Sequence, residues 1–251
     1  LLSRGLGDVY KRQERKYEPD AEIGIDENSY SAFVRPYCTD SNGDPASGVT
    51  LAVYRRTYDG DFVKIADQIE CNRNIHVTDP HPALDYARYR IIATEESTGA
   101  VSFYDPPGYP INGDYIILQW NEEWSSFDTN NSDTMVDPPW AGSLLKLLYN
   151  VDVSELTDPD VELVKYIGRK NPVSYYGTQI GTSATWNVDV LKTDKETIYQ
   201  LRRIQRWLGD VYVREPSGVG YWANVKVSFS QKHTEKMVPV TLTITRVEGD
   251  M

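Results

Sequence analysis

The sequence predicts a mainly β protein: an N-terminal β-sandwich followed by an α+β domain, a small barrel or sandwich with one lateral helix at about 194–208. Three observations carry this prediction. Alternating apolar and polar runs recur along the chain, separated by clusters of Gly, Asn, Asp, Ser and Pro, as strands and turns require. The run from Thr193 to Leu208 instead places its apolar residues at three- and four-residue spacing, the period of a helix. The aromatic content of 12% rests on 18 Tyr and 6 Trp rather than on Phe. Such side chains pair an apolar body with a polar handle and suit half-buried strands and assembly surfaces.

A chain of 251 residues holds one large or two ordinary domains. Its formal charge of -11 argues against a nucleic-acid partner, which would need phosphate neutralisation. Neither an apolar run of transmembrane length nor a secretory signal pattern is present, so no membrane partner is expected. Residues 1–13 start at Leu1 without a methionine, and Asp8 to Gln13 resembles the translation of a transposon-end sequencing adapter. Leu6 to Tyr10 also repeats Leu208 to Tyr212, but no helix stripe or following strands accompany the first copy. The expectation is an artefact joined to the C-terminal piece of a longer protein.

The first domain is placed at 20–110. Tyr30 to Tyr37 alternates, and Thr39 to Pro45 is dense in turn formers. Val49 to Arg56 and Phe62 to Ala66 form a hairpin through Tyr58-Asp59-Gly60-Asp61. Ile75 to Val77, Ala87 to Ala93 and Ala100 to Tyr104 complete the strands. Asp40, Asn42 and Asp44 imitate the first ligands of a calcium loop. Pro45 and Leu51 stand where that loop needs Gly and Glu, so a plain turn is expected. His76 and His81 flank Asp79 without a third ligand and read as surface histidines, and Arg55 and Arg56 as a solvated strand end. Cys38 and Cys71 read as reduced thiols near strands, with a disulfide between two sheets the open alternative.

Pro106 to Pro110 is a stiff break, and the second domain is placed at 112–251. Tyr115 to Trp120 is its first strand, and Asn121 to Pro139 a long polar loop. Leu144 to Tyr149 is a strand, Thr157-Asp158-Pro159-Asp160 a turn into Val161 to Ile167, and Ala184 to Val190 a strand feeding the helix. Thr193 and Glu196 form a capping box, Ile198, Leu201, Ile204 and Leu208 one apolar stripe, and Gly209 the left-handed stop. Val211 to Val213, Tyr221 to Phe229 and Val238 to Val247 follow as strands. Ala223, Val225, Val227 and Phe229, and then Val240, Leu242 and Ile244, point inward; Thr241, Thr243 and Thr245 face the other way.

Two resemblances follow from these residues. Val53-Tyr54-Arg55-Arg56, the Gly60 hairpin and Leu84-x-Tyr86-x-x-Tyr89-x-Ile91-x-Ala93 look like strands of a fibronectin type III or immunoglobulin-like module, implying spacing or adhesion. Arg169 to Thr178 before the helix, and Arg214-Glu215-Pro216-Ser217-Gly218 to Val225 after it, resemble the tail-tube-like fold of long-tailed bacteriophage tail and baseplate proteins. That family implies a virion subunit made in the host cytoplasm, a homo-oligomeric ring, and contacts with other tail or baseplate proteins. Catalytic, metal and cofactor sites are not expected. Tyr175, Tyr176, Tyr221, Trp222, Thr241, Thr243 and Thr245 are the candidate assembly surface.

Two rivals are weighed. A bacterial surface or carbohydrate-binding β-sandwich would need an exposed aromatic platform from Trp120, Trp124 and Trp140. A hydrolase would need facing carboxylates or a Ser/His/Asp set. The adjacent Glu122 and Glu123 alternate faces on a strand, and the histidines are only His76, His81 and His233.

Overall fold

Period-two patterning dominates the sequence, and the computed structural model is accordingly mainly β, with several antiparallel sheets and one helix among the described residues. It describes residues 17–27, 29–71, 75–111, 115–120, 127–128, 144–148, 151–169, 171–230 and 236–248. They fall into two compact units, one drawn from 1–82, 86–111 and 125–136, the other from 83–85, 112–124 and 137–251. No described helix is long and apolar enough to cross a membrane.

In the first unit, β1 (Tyr17–Asp26), β2 (Ser31–Asp40), β5 (His76–Asp79) and β11 (Phe127–Asp128) form one antiparallel sheet in the order β1-β2-β5-β11. A second runs β4-β3-β7-β8, from β3 (Val49–Arg56), β4 (Phe62–Glu70), β7 (Tyr89–Glu95) and β8 (Val101–Tyr104). A short ladder joins β6 (Tyr86–Ala87) to β9 (Tyr109–Pro110). Alternate residues are buried: Ala32, Val34 and Cys38 on β2, Val49, Leu51 and Val53 on β3, and Tyr89, Ile91 and Ala93 on β7.

Four expectations need correction here. The sequence reading has no strand at β1, whose Pro19, Gly24 and acidic residues blur its alternation; pairing with β2 along its whole length holds it. Tyr30 belongs to the turn before β2, with φ of 54° and its N–H donated to Asp26 O at 2.8 Å. Arg55 is not solvated. Its guanidinium meets the fully buried Asp79 carboxylate at 2.5 Å, and Asp79 also accepts from the Tyr89 hydroxyl and the His81 amide. His81 is buried rather than superficial. The Asp40 loop is a turn capped from within, since Asp40 Oδ1 accepts the amides of Asn42 and Asp44.

The second unit contains one open seven-stranded antiparallel sheet, and its described strands close no barrel. Its members are β10 (Tyr115–Gln119), β12 (Leu144–Leu148), β13 (Val151–Val164), β14 (Val173–Leu191), β15 (Val211–Arg214), β16 (Gly220–Phe229) and β17 (Met237–Arg246). The order is β12-β10-β15-β16-β17-β14-β13. Helix α1 (Lys195–Arg206) packs on β16 and β12. Leu201 and Ile204 join Leu118, Trp120, Trp186, Val188, Val225, Val227, Val240, Leu242 and Ile244 in one dry cluster.

The helix ends differ from the sequence reading. The N-cap is Asp194, not Thr193: Asp194 Oδ1 accepts the Thr197 amide at 3.0 Å. At the other end Trp207 is already extended and gives its N–H to Ile204 O, so Gly209 is not the left-handed stop. Leu208 therefore lies outside the helix, fully exposed, and Trp207 packs against the cluster in its place. The expected turn at Thr157 to Asp160 lies inside β13, where the register shifts between Pro159 and Val161. Pro159 is tolerated there because β13 is an edge strand and the ladder is irregular at that point.

Candidate assembly surface

Three strands, β14, β17 and β16, lie side by side in continuous register. Trp186, Leu242 and Val227 form one cross-strand row, and Val188, Val240 and Phe229 the next. Those rows face the helix. The intervening rows are polar: Thr185-Thr243-Lys226, Asn187-Thr241-Ser228 and Ser183-Thr245-Asn224. Period-two geometry forces this division, because each inward apolar residue sends its neighbours to the opposite side. Thr185, Asn187, Lys226, Ser228, Thr243 and Thr245 are exposed, and Thr241 Oγ1 donates to Asn187 Oδ1 at 3.0 Å. The three candidate threonines thus share one wetted face, as the sequence pattern requires.

The aromatic candidates do not join them as a group. Trp222 lies on the threonine side of β16, half-buried, with its ring edge-on to Tyr212 at 5.1 Å. Tyr221 lies on the helix side, packed against the dry cluster. Its hydroxyl donates to Glu215 Oε1 at 2.9 Å, and the Arg246 guanidinium covers its ring at 4.0 Å. Burial and the Glu215 carboxylate push its pKa upward, so the phenol stays neutral. Tyr221 is thereby held on the helix side of the sheet, apart from the threonine face. Adjacent strand residues face opposite ways, so Tyr221 and Trp222 could not both serve one partner.

Tyr175 and Tyr176 lie on a feature that the sequence reading missed. β14 pairs with β17 only from Ser183 onward. From Val173 to Thr182 it pairs with β13 alone among the described strands, forming a two-stranded arm closed by the turn at Ile167-Gly168. The eight steps from Ser183 to Tyr175 amount to about 26 Å at roughly 3.3 Å per residue. The Tyr175 hydroxyl shares a 2.7 Å hydrogen bond with that of Tyr166. The side chain of Tyr176 lies outside the described residues. The arm also exposes Leu163 (61%) and Ile167 (106%), and Leu156 (62%) is exposed at its base, opposite Ser183. Their signal was present as apolar residues among acidic ones, but a turn drawn at Pro159 divided the strand that carries them.

Among the described residues no group of three His, Cys, Asp or Glu side chains could hold a metal ion. Trp120 is buried in the dry cluster with the Arg203 guanidinium over its ring at 5.6 Å, which removes it from any exposed aromatic platform. Trp124, Trp140, Glu122, Glu123 and His233 lie outside the described residues, as do residues 1–13 and most of the 121–139 loop. Set against family models and curated proteins, the chain matches none.

Proposed function

We propose that this chain is a non-enzymatic structural subunit that works by assembling with copies of itself through its second unit. The observation that carries the reading is the β13–β14 arm. An isolated two-stranded ribbon is at best marginally stable in water, and this one exposes Leu163 and Ile167 to solvent, with Leu156 exposed at its base. Burying them against a neighbour would supply what the arm lacks on its own. The threonine face supports the same reading, being polar, regular and suited to a water-filled passage or to a wet contact.

Within that reading, the chain is the tail or baseplate protein of a long-tailed bacteriophage, with an immunoglobulin-like first unit beside a tail-tube-like second one. Its partners are then a homo-oligomeric ring and neighbouring tail proteins, and its location is the virion. The support is the sequence resemblance on either side of the helix, together with a sheet that carries one helix on one face.

Sedimentation velocity of the full chain over a concentration series tests assembly, with Leu163→Glu as the perturbation. Self-association that the charge abolishes, without a change in thermal unfolding, is the expected result. Electron microscopy of the associated fraction should show closed rings if the bacteriophage assignment is right; open or irregular aggregates would remove that assignment while leaving self-association standing. A strictly monomeric protein with specific hits on a glycan array would replace both with the carbohydrate-binding alternative.

A further inference from the structure

The first unit holds both cysteines of the chain, and the fold brings together what 32 intervening residues separate in sequence. Cys38 lies near the end of β2, and its carbonyl accepts the amide of Ala46 at 3.0 Å as the chain turns toward β3. Cys71 directly follows β4, next to Glu70, which pairs with Thr50 near the start of β3. The two residues therefore belong to different sheets at the same end of the unit. Both are buried, Cys38 at 1% exposure and Cys71 at 8%. Each thiol lies within reach of the other, and Cys38 Sγ also donates to Thr39 O at 3.9 Å. We propose that Cys38 and Cys71 form an oxidation site, a thiol pair that closes to a disulfide joining the two sheets.

The two thiols act on one another. The hydrogen bond from Cys71 draws the Cys38 thiol below its usual range, while that bond and burial push Cys71 up. Exchange can begin at either thiol and takes the same course from each. From Cys38, with a low-molecular-weight disulfide such as oxidised glutathione as oxidant, the thiolate attacks one glutathione sulfur. The glutathione S–S bond breaks, a mixed disulfide forms, and one glutathione thiolate leaves. Cys71 then gives up its proton and attacks the Cys38 sulfur, displacing the second glutathione. Two electrons pass from the cysteine pair to glutathione disulfide, and the two thiol protons end on the two glutathione molecules released.

The site stands apart from the assembly reading, since neither cysteine lies in the second unit. It is tested on the full chain, reduced, desalted and equilibrated without oxygen across a series of glutathione redox buffers. After acid quench and denaturation, free thiols are counted with a maleimide. With only two cysteines in the chain, the count is unambiguous. The expected result is a cooperative change from two labels to none, a monomer on a non-reducing gel, one peptide linking Cys38 to Cys71, and a higher unfolding temperature for the oxidised form. Cys71→Ser should abolish the redox-dependent shift and stop at a glutathione adduct; if it does not fold, the wild-type label count decides alone. Two labels at the most oxidising ratio, stable glutathione adducts on wild type, or a disulfide-linked dimer would each overturn the proposal.

Discussion

Leu201→Ala and Leu208→Ala separate the helix that the sequence predicts from the helix that forms. Both leucines fit one apolar stripe by spacing, yet Leu201 is 0% exposed inside the dry cluster and Leu208 is 101% exposed beyond the helix end. Truncating Leu201 removes three carbon atoms from water-free surroundings, worth about 2.4 kcal/mol at roughly 0.8 kcal/mol each. The cavity left between the helix and β16 raises the expected cost to about 3–4 kcal/mol. Truncating Leu208 should stay within about 0.5 kcal/mol. Tryptophan fluorescence in a urea series is the assay. All six tryptophans lie in stretches of the second unit, and Trp120 and Trp186 belong to the same cluster as Leu201. The signal therefore reports that unit without interference from the first. Equal costs for the two substitutions, or a greater cost for Leu208, would refute the assignment of the buried face.

The helix cap gives a second contrast: Asp194→Ala should cost about 1 kcal/mol and Thr193→Ala almost nothing in the same urea series, because only Asp194 holds the Thr197 amide. In the first unit, Arg55→Ala strands the buried Asp79 carboxylate and should cost about 3 kcal/mol, toward the lower end for a broken buried pair because the Tyr89 hydroxyl and His81 amide remain. Calorimetry should show only a surface-sized effect for the exposed Arg56→Ala. Tyr37 supplies a pH test. Its hydrogen bond to Asp20 is the main reason that its pKa is pushed up to about 12 from 10.0. A folded-state pKa above the unfolded one means stability that is complete below pH 10.0 and is lost as pH rises toward about 12. Asp20→Asn should lower the pH at which the tyrosinate absorbance of Tyr37 develops, and an unchanged titration would count against that bond.

What was legible in the sequence was what strict periodicity encodes. Val49 to Arg56, and the alternation of β16 and β17, were legible because every second residue is apolar and turn formers mark the ends. What escaped was set by tertiary context. β1 has poor strand chemistry and is held by its partner β2. Proline at position 159 reads as a turn unless one knows that its strand is an edge. The Arg55–Asp79 pair joins residues 24 positions apart, and local spacing carries no trace of it. The candidate threonines share one face and Tyr221 lies on the other for the same reason: parity along a strand fixes which residues share a face, and Tyr221 and Trp222 differ by one.

The arm's two edges are chemically unlike, and that difference restricts how any neighbour could bind it. β13 forms the outer edge of the sheet and carries Asp152, Glu155, Asp158, Pro159, Asp160 and Glu162 along its length. Acidic residues and proline in a strand's sequence are a common means of keeping exposed edges from uncontrolled pairing. β14 from Val173 to Thr182 has no charged residue, and over that stretch no described strand pairs with its other side. Growth of the sheet is thus blocked at β13 and open at the arm segment of β14. On the apolar face α1 packs on β16, and Trp186, Val188, Val240, Leu242 and Ile244 of β14 and β17 are themselves buried, so these described residues offer no large exposed apolar surface. A second copy would then meet the arm by backbone pairing along Val173 to Thr182 and by packing over Leu163, with the threonine face left wet. Proline at Thr178 would remove one backbone donor from that segment. Association weakened by Thr178→Pro, with the unfolding temperature preserved, would place the contact on that edge; association lost with Leu163→Glu but untouched by Thr178→Pro would place it on the face that carries Leu163.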